Sequence, residues 1–528
     1  MRDRTFDILE FEVKGNTQLS DSDIQTVLEP FLGSGHKAAD VDQARGTLER
    51  LYNELGYKTV TVVIPRQTLK DGVVQLQVVE GKVERLNVVG SKYTSIEQVK
   101  SEVPSLAEGE VPNFERVQKD LLYANRFQKR HVTPSLRAGN APGTVNIDLA
   151  VEDRMPLNLS SEFNNRHNQG TTEERLNVGA GYDNLFQVGH SISLFFQIAP
   201  QRPDDGRVYI ANYLARFGDG SWNLLASYFK TDSNVTSFAA SSGSGTGASS
   251  SPAGPDVIGA GTTYGIKLIK QLPDAGGSLF PSVSLGVDDK RTFNRVQLPP
   301  AVAGQPLPAA QETPVHYYPV TLGYSQLLRL ESQSNQSDLA LTFASYKFGS
   351  SGDQVDASRL GSRSQFSIRA SNDYNIDFFH GFEFDFKIAG QITDRPLITS
   401  EQFGAGGMDT VRGYFEAEAL GDVAELGSVE LRAPSVPDLF AGQRWASVLS
   451  EFRPFVFFDA AHLSLRGPFP DENTPRAFSL SSFGAGVSIR IRDQLTALLD
   501  WAQPLRDGPA SHKGDSQLLF RVSAQLGN

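Results

Sequence analysis

The residue types best suited to specific chemistry stand in two short segments of the second half of the chain. One segment is glycine-rich and contains the run Val411-Arg412-Gly413-Tyr414, with three glycines at 404, 406 and 407 before it. The other is aromatic and contains Asp459. An arginine presents a planar, permanently charged fork of N–H donors that pairs well with a carboxylate. These residues therefore offer ionic recognition between side chains.

Motifs of the common enzyme classes are absent from the sequence. It contains no His-Glu-x-x-His zinc motif, no phosphate-binding loop, no nucleophile elbow and no dinucleotide fingerprint. The eight histidines show no metal-ligand spacing, and the absence of cysteine excludes disulfides, thiolate metal sites and cysteine nucleophiles. We predict a protein that is not an enzyme and carries no cofactor and no metal. The net charge of −12 argues against nucleic-acid binding, which usually needs a basic patch.

Residues 154–528 carry the sequence pattern of a membrane β-barrel. Many segments of about ten residues alternate between apolar and polar side chains, most clearly at 382–388. Further examples lie at 192–196, 339–343, 487–492 and 518–524. Strands that alternate lipid-facing and lumen-facing residues are polar on average, so a barrel needs no apolar run of the roughly 18–20 residues that a membrane-spanning helix requires. The length of about 375 residues predicts about 16 strands.

Two long connectors favour the same architecture. Residues 237–261 are rich in serine, glycine and alanine, and residues 299–314 are rich in proline, alanine and glutamine. Neither segment can bury enough apolar surface to order itself, and outer-membrane barrels combine long outer loops with short inner turns. We expect both connectors to be outer loops. A large soluble β-sandwich with its phenylalanines inside is the alternative that the alternation leaves open.

Residues 5–153 contain one α/β unit used twice, at 5–81 and at 82–153. The first unit has a strand from Ile8 to Val13, a helix with Ser20 at its N-cap, a helix from about Asp40 to Leu55, and strands at 59–64 and 73–79. The second unit has a strand at 85–89, helices at 95–103 and 113–124, and strands at 131–136 and 144–151. Both units therefore have the order β-α-α-β-β.

Together, residues 401–414 and 455–461 resemble the transporters of two-partner secretion, the TpsB family of filamentous-haemagglutinin and haemolysin exporters. That family belongs to a superfamily of outer-membrane barrels that assemble or export proteins. It is recognised by Val-Arg-Gly-Tyr/Phe on an inward-folding loop and by Phe-x-Asp-x-Gly on a later strand, although residue 461 is Ala here. The paired units resemble the family's two polypeptide-transport-associated (POTRA) domains, and the stretch from Gly56 to Gly81 is similar to the first of them.

The resemblance implies a transmembrane antiparallel β-barrel of about 16 strands, preceded by two α/β POTRA domains of order β-α-α-β-β. It also implies that a loop around residues 401–420 folds into the barrel, where Arg412 pairs with Asp459 and pins the loop to the wall. Gly413 would permit a positive φ or a close backbone approach, and Tyr414 would pack against the lumen wall. Val411 and Phe457 complete the predicted set of loop-pinning or gating residues.

The same resemblance implies an exporter in the bacterial outer membrane, with its POTRA domains in the periplasm. These domains would capture an unfolded partner exoprotein by adding it as a strand to a sheet edge. The partner would be an adhesin, a haemolysin or a contact-dependent toxin, and it would pass through a barrel that contacts outer-membrane lipid. We expect a monomer that binds no nucleic acid. Because the sequence has no nucleotide site, folding or binding of the client outside would drive transport.

Three other functions share part of this pattern. A factor that assembles other barrels has both motifs, and only the count of two POTRA domains argues against it. A passive diffusion porin would have no use for POTRA domains. A soluble adhesin-type β protein is the third, and it would stay in solution without detergent.

The two ends of the chain carry separate expectations. The first residues lead into strand-like sequence without an apolar signal-peptide region, so we expect a mature or engineered start. The family's N-terminal plug helix is expected to be missing or removed. Phe520 is the last aromatic residue, so we expect the terminal signal used in barrel assembly to be altered or atypical.

Overall fold

The computed structural model describes residues 5–67, 71–125, 129–218, 220–231, 260–273, 277–296, 311–346, 349, 364–439, 449–467, 476–492 and 494–526. The chain divides into two compact units, Met1–Met155 and Pro156–Asn528. None of the described helices is both long and apolar enough to cross a membrane.

The first unit consists of two similar halves. The second half has the predicted order β-α-α-β-β, and the first half has this order with two additional short strands, Phe6–Ile8 and Gly33–His36. The first half contains β1 (Phe6–Ile8), β2 (Glu10–Lys14), α1 (Asp21–Leu28), β3 (Gly33–His36), α2 (Ala38–Glu54), β4 (Val60–Val63) and β5 (Val73–Glu80). The second half contains β6 (Lys82–Val89), α3 (Ile96–Ser101), α4 (Phe114–Ala124), β7 (Arg130–Ala138) and β8 (Thr144–Asp153). Their main sheets have the orders β2-β5-β4 and β6-β8-β7, with a parallel pair followed by an antiparallel pair.

Helix caps and an apolar stripe explain why these segments are helical. The side chains of Ser20, Ser95 and Asn113 accept backbone N–H groups in the first turns of α1, α3 and α4. Along α2, Ala44, Leu48 and Tyr52 recur at helical spacing and are buried in a cluster with apolar residues of β4 and β5. The helices therefore bury one face against each sheet.

The first strand of the chain differs from its prediction. Instead of one strand from Ile8 to Val13, the structure has β1 and β2, which belong to different sheets. The backbone N–H groups of Leu9 and Glu10 both donate to the carbonyl of Gly72, at 2.8 and 3.3 Å. β1 then pairs with β3, a short strand that the sequence pattern did not predict.

Sixteen antiparallel strands close the second unit into a barrel and confirm the predicted architecture. They are β9 (Leu157–Asn164), β10 (Arg175–Leu185), β11 (His190–Ile198), β12 (Val208–Phe217), β13 (Trp222–Thr231), β14 (Gly261–Gln271), β15 (Leu279–Val296), β16 (Gln311–Arg329), β17 (Gln333–Ser345), β18 (Ser364–Phe378), β19 (Phe382–Thr393), β22 (Val423–Arg432), β23 (Leu449–Ser464), β24 (Ala477–Ile491), β25 (Leu495–Pro504) and β26 (Gln517–Leu526). Between β19 and β22, β20 (Phe403–Ala405) and β21 (Ala419–Gly421) form a separate antiparallel pair.

Side chains alternate between the outside and the inside of this barrel. On β23, Val456 and Phe458 are 54% and 47% exposed, whereas Phe457 and Asp459 between and beside them are buried. Apolar side chains on the outer face of a closed barrel are typical of contact with lipid. A two-layer sandwich would bury these residues, so the structure removes that alternative.

The predicted outer loops lie mostly outside the described residues. Only their last residues are described, and Gly261 begins β14 while residues 311–314 begin β16. Both predicted loops therefore extended too far at that end, because strand pairing already begins at Gly261 and at Gln311.

Candidate functional site

The inward loop, residues 394–422, connects β19 to β22 and contains the β20–β21 pair. Consecutive glycines turn its backbone, with φ angles of 111° at Gly406 and 102° at Gly407, a conformation that other residues rarely adopt. A Cβ atom on Gly407 would lie 2.3 Å from Cδ of Glu416, so this turn also leaves no room for a side chain. The glycines therefore fold the loop tightly enough to present the following residues to the barrel wall.

Arg412 is held by two carboxylates from adjacent wall strands. Its Nε and Nη2 atoms donate to the two carboxylate oxygens of Asp459 at 2.8 and 3.0 Å. Its Nη1 atom donates to Glu430 at 2.7 Å, and its backbone N–H donates to Asp459 at 3.1 Å. Because the fork and the backbone both engage Asp459, this contact fixes the side chain and the main chain of the loop together.

The surroundings of Arg412 are dry and aromatic. Arg412 is 8% exposed and Asp459 is fully buried, and the guanidinium carbon lies 3.4 Å from the centre of the Phe457 ring. Ser428 supports the site from behind by donating to Asp459 at 2.7 Å. Asp459 and Glu430 bring two negative charges to the buried guanidinium, so its charge is compensated where water is excluded.

Gly413 and Tyr414 complete the contact with the wall. Gly413 has a φ of 89°, and a Cβ atom there would lie 3.1 Å from Cδ of Pro504. The Tyr414 hydroxyl lies 2.8 Å from the carbonyl of Arg506 and 3.0 Å from that of Ser481, and it also accepts the Ser481 N–H at 3.3 Å. Its ring is buried, so the hydroxyl has polar partners where water is excluded.

Val411 contributes an apolar contact to the same site. It is fully buried in a cluster that combines loop residues with wall residues of β22, β23 and β24. Val411, Arg412, Gly413, Tyr414, Phe457 and Asp459 are thus brought together at one place inside the barrel.

Glu430 is a site residue that the sequence reasoning missed. It lies on β22, two positions from Ser428, which is paired in register with Asp459 on β23. The alternation of β22 indicates that Glu430 faces inward, but the sequence does not reveal which residues of β22 and β23 lie opposite each other. Glu430 also accepts from Arg432 at 2.7 Å, so it links the loop to a second lumen cation.

Further carboxylates of the inward loop form contacts that the motifs did not predict. Glu418 accepts the backbone N–H groups of Ala510 and Ser511 at 2.9 and 2.8 Å. Glu401 accepts from Lys290 on β15 at 2.7 Å. Asp422 is fully buried and accepts the backbone N–H of Arg466 at 2.7 Å. The sequence signal that could have indicated these contacts is the recurrence of acidic residues along a glycine-rich loop.

The described part of the chain contains no group of three or more His, Asp or Glu side chains that could hold a metal ion. The interactions at the site are ionic, and they hold the loop against the barrel wall.

Comparisons with known proteins agree with this architecture in both units of the chain. Residues 6–81 match the family described as "POTRA domain, ShlB-type", and residues 315–489 match "Haemolysin secretion/activation protein ShlB/FhaC/HecB". The second match includes both the inward loop and Asp459. Over these two segments the chain is similar to the two-partner secretion transporters. The protein lies in the bacterial outer membrane, with its POTRA domains in the periplasm.

Curated relatives match this chain over part of their length. The chain is 25% identical over 225 residues to "Outer membrane transporter CdiB" of Dickeya dadantii, which covers 42% of this chain and 39% of the relative. It is 21% identical over 179 residues to "Outer membrane transporter CdiB" of Escherichia coli, which covers 34% of this chain and 30% of the relative. The match therefore spans well under half of these relatives.

Two solved structures share the fold of this chain. "CdiB from Escherichia coli" has a TM-score of 0.62 and 16% identity, with 99% of this chain and 91% of that chain covered. BamA from Haemophilus ducreyi, solved without its POTRA domains 1–3, has a TM-score of 0.54 and 16% identity, with 99% and 100% covered. At this identity both likenesses describe the fold alone.

Proposed function

We propose that this protein exports a partner exoprotein through its barrel, and that the inward loop holds the path until a client arrives. The observation that supports this best is the buried position of Arg412 between Asp459 and Glu430. A loop held mainly by ion pairs can exchange partners without unfolding the barrel that carries it. The family whose model matches residues 315–489 acts in secretion, which favours a protein client over a small solute.

The proposal assigns client capture to the POTRA domains at 5–81 and 82–153. In each of their main sheets the central strand is β5 or β8, and the outer strands β2, β4, β6 and β7 have one sheet neighbour each. An extended client can add to such an edge through backbone hydrogen bonds, which give affinity without strict sequence choice. The client would be a secreted exoprotein such as an adhesin, a haemolysin or a toxin, and the transporter would act as a monomer.

A secretion assay tests this proposal directly. The full chain is produced in a bacterial outer membrane together with a candidate exoprotein, and the exoprotein is measured in the medium and in the periplasm. We expect export only when the transporter is present. Export that is unchanged without the transporter would contradict the proposal.

The same cells separate export from barrel assembly. If the protein assembled other barrels, as the fold likeness to BamA would allow, its loss would lower the amounts of unrelated outer-membrane proteins. We expect these amounts to stay constant while the exoprotein accumulates inside the cell.

A further inference from the structure

The barrel closes where its last strand pairs with its first. In β9 and β26, residues 159–164 pair with residues 521–526 in antiparallel register. Asn165, the residue after β9, extends this ladder with its side chain: its Nδ2 donates to the carbonyl of Leu518 at 2.7 Å, and its Oδ1 accepts the N–H of Phe520 at 2.8 Å. We call β9, β26 and Asn165 the closing seam.

The inward loop crosses the lumen side of this seam. Asp409 lies 2.6 Å from Nη1 of Arg166, which follows β9, and its other oxygen accepts from Nη2 of Arg521 on β26 at 3.0 Å. The contact with Arg166 is an ion pair and not a directed hydrogen bond, because Oδ2 of Asp409 receives no N–H in hydrogen-bond geometry. One loop carboxylate therefore binds Arg521 on β26 and Arg166, which lies two residues after β9.

The neighbours of this contact explain why it is specific. Glu416 of the same loop accepts from Nε and Nη2 of Arg166 at 3.1 and 3.3 Å, so Arg166 is orientated from two sides. Arg521 has a more distant second carboxylate, Glu162 on β9, at 3.9 Å. The side chains of Arg166, Asp409 and Arg521 are 16%, 20% and 21% exposed, so water compensates little for a lost partner.

We propose that Asp409 is a positioning residue that clasps the closing seam, so that tight closure of the barrel depends on the inward loop being in the lumen. Removing its charge leaves two arginines near each other at the junction of the first and last strands, with the bridge between them gone. The consequence is local, because the described contacts of the Asp409 carboxylate are with Arg166 and Arg521 at the seam, whereas Lys387 of β19 contacts only its backbone carbonyl, at 3.4 Å. This inference deepens the proposed export function, since a loop displaced by a client would loosen the seam at the same time.

Hydrogen exchange of the full chain in detergent micelles tests the clasp without a client. We expect Asp409→Asn to speed exchange of the seam amides, residues 159–164 and 521–526, by roughly tenfold or more. Amides of β14 and β15 should exchange as in the unsubstituted chain. The matched control is Glu401→Gln, which removes the same charge from the same loop but from a contact with Lys290 on β15.

Two results would overturn the clasp. One is unchanged exchange of the seam amides in Asp409→Asn, and the other is an equal rise in Glu401→Gln, which would indicate general loosening of the loop. If Asp409→Asn gives too little folded barrel, Arg521→Gln removes the same contact from the strand side and carries the same expectation. Asp409→Glu, which keeps the carboxylate, should restore slow exchange.

The secretion assay keeps this inference apart from the proposed function. Export by the unsubstituted chain together with unchanged seam exchange in Asp409→Asn would reject the clasp and leave the export role standing. A seam that loosens in a chain that exports nothing would reject the export role and leave the clasp standing.

Discussion

Arg412 has three kinds of partner that only a guanidinium can satisfy at once. Two of its nitrogens engage Asp459 side by side, a third engages Glu430, and its flat face lies on Phe457. A lysine ammonium is a point charge and cannot form this planar, forked and stacked arrangement. The identity of the residue, beyond its charge, therefore determines how the loop is held.

We accordingly expect Arg412→Lys to reduce export although it keeps the charge. Weakening a buried ion pair costs several kcal/mol, so a fall in secreted exoprotein of at least about tenfold is expected. The measurement is the ratio of secreted to periplasmic exoprotein at equal transporter levels.

The control for this change is Arg490→Lys. Arg490 on β24 is 40% exposed and pairs with Glu451 at 3.2 Å, away from the inward loop. Equal export by the Arg412 and Arg490 variants would mean that the forked contact has no part in transport.

At this scale the sequence indicated a motif but not its full set of partners. Arg412 and Asp459 could be named because they stand in recognisable motifs, 47 residues apart. Glu430, Arg166 and Arg521 stand in no motif. They join the site through strand register and the crossing of the loop, and both of these depend on tertiary structure.

Among the elements, the loop at 91–94 in the second POTRA domain depends on one carboxylate. Asp153, the last residue of β8, accepts the backbone N–H groups of Lys92, Tyr93 and Thr94 at 2.8, 2.9 and 2.8 Å. Burial would raise the pKa of Asp153, but these hydrogen bonds hold it below its ordinary value. The charged form is therefore the one that stabilises the junction between β6 and α3.

We expect Asp153→Asn to lower the stability of the first unit by about 1–2 kcal/mol at neutral pH. Because the pKa is lowered on folding, this contribution is complete above the unfolded value near 3.9 and is lost as the pH falls through the lower folded value. The difference between the two chains should therefore shrink in acid. Thermal unfolding followed by circular dichroism at pH 7 and below pH 4 measures it.

The neighbouring Glu152 provides the control, since it is exposed. Glu152→Gln should leave the unfolding temperature of the first unit unchanged at both pH values. A difference between Asp153→Asn and the unsubstituted chain that persists undiminished in acid would show that the charge of Asp153 is not the cause.

Local sequence patterns predicted most helices and strands because helix and strand periodicity depends on residues that are close together in the sequence. The apolar stripe of α2 and the alternation of β19 follow from helix and strand periodicity. The break between β1 and β2 did not follow, because it depends on hydrogen bonds from Leu9 and Glu10 to Gly72, more than sixty residues away. Elements set by distant contacts were the ones that the sequence missed.

For the whole molecule, two separate sets of stabilising contacts predict two unfolding transitions. The first unit has its own apolar clusters, whereas the second is held by a closed ladder of sixteen strands. Units with separate cores can unfold independently. Calorimetry of the full chain in detergent should show two heat-absorption peaks, and Asp153→Asn should shift only the one that belongs to the first unit.

A single peak that moves as a whole in Asp153→Asn would show instead that the two units unfold cooperatively. Near-ultraviolet circular dichroism provides an independent check. All three tryptophans of the chain, at 222, 445 and 501, belong to the second unit, so their signal should follow only one of the two peaks.

The inward loop is tethered at several places at once, by Arg412 and by Glu401, Asp409, Glu418 and Asp422. Such redundancy has a genetic consequence. A screen for single substitutions that make cells sensitive to large antibiotics should recover few changes in this loop, because the remaining tethers still hold it over the pore. Sensitive strains should instead carry two substitutions, at tethers on different strands. Random mutagenesis that gives about one substitution per chain would then lead to the wrong conclusion that the loop tolerates substitution.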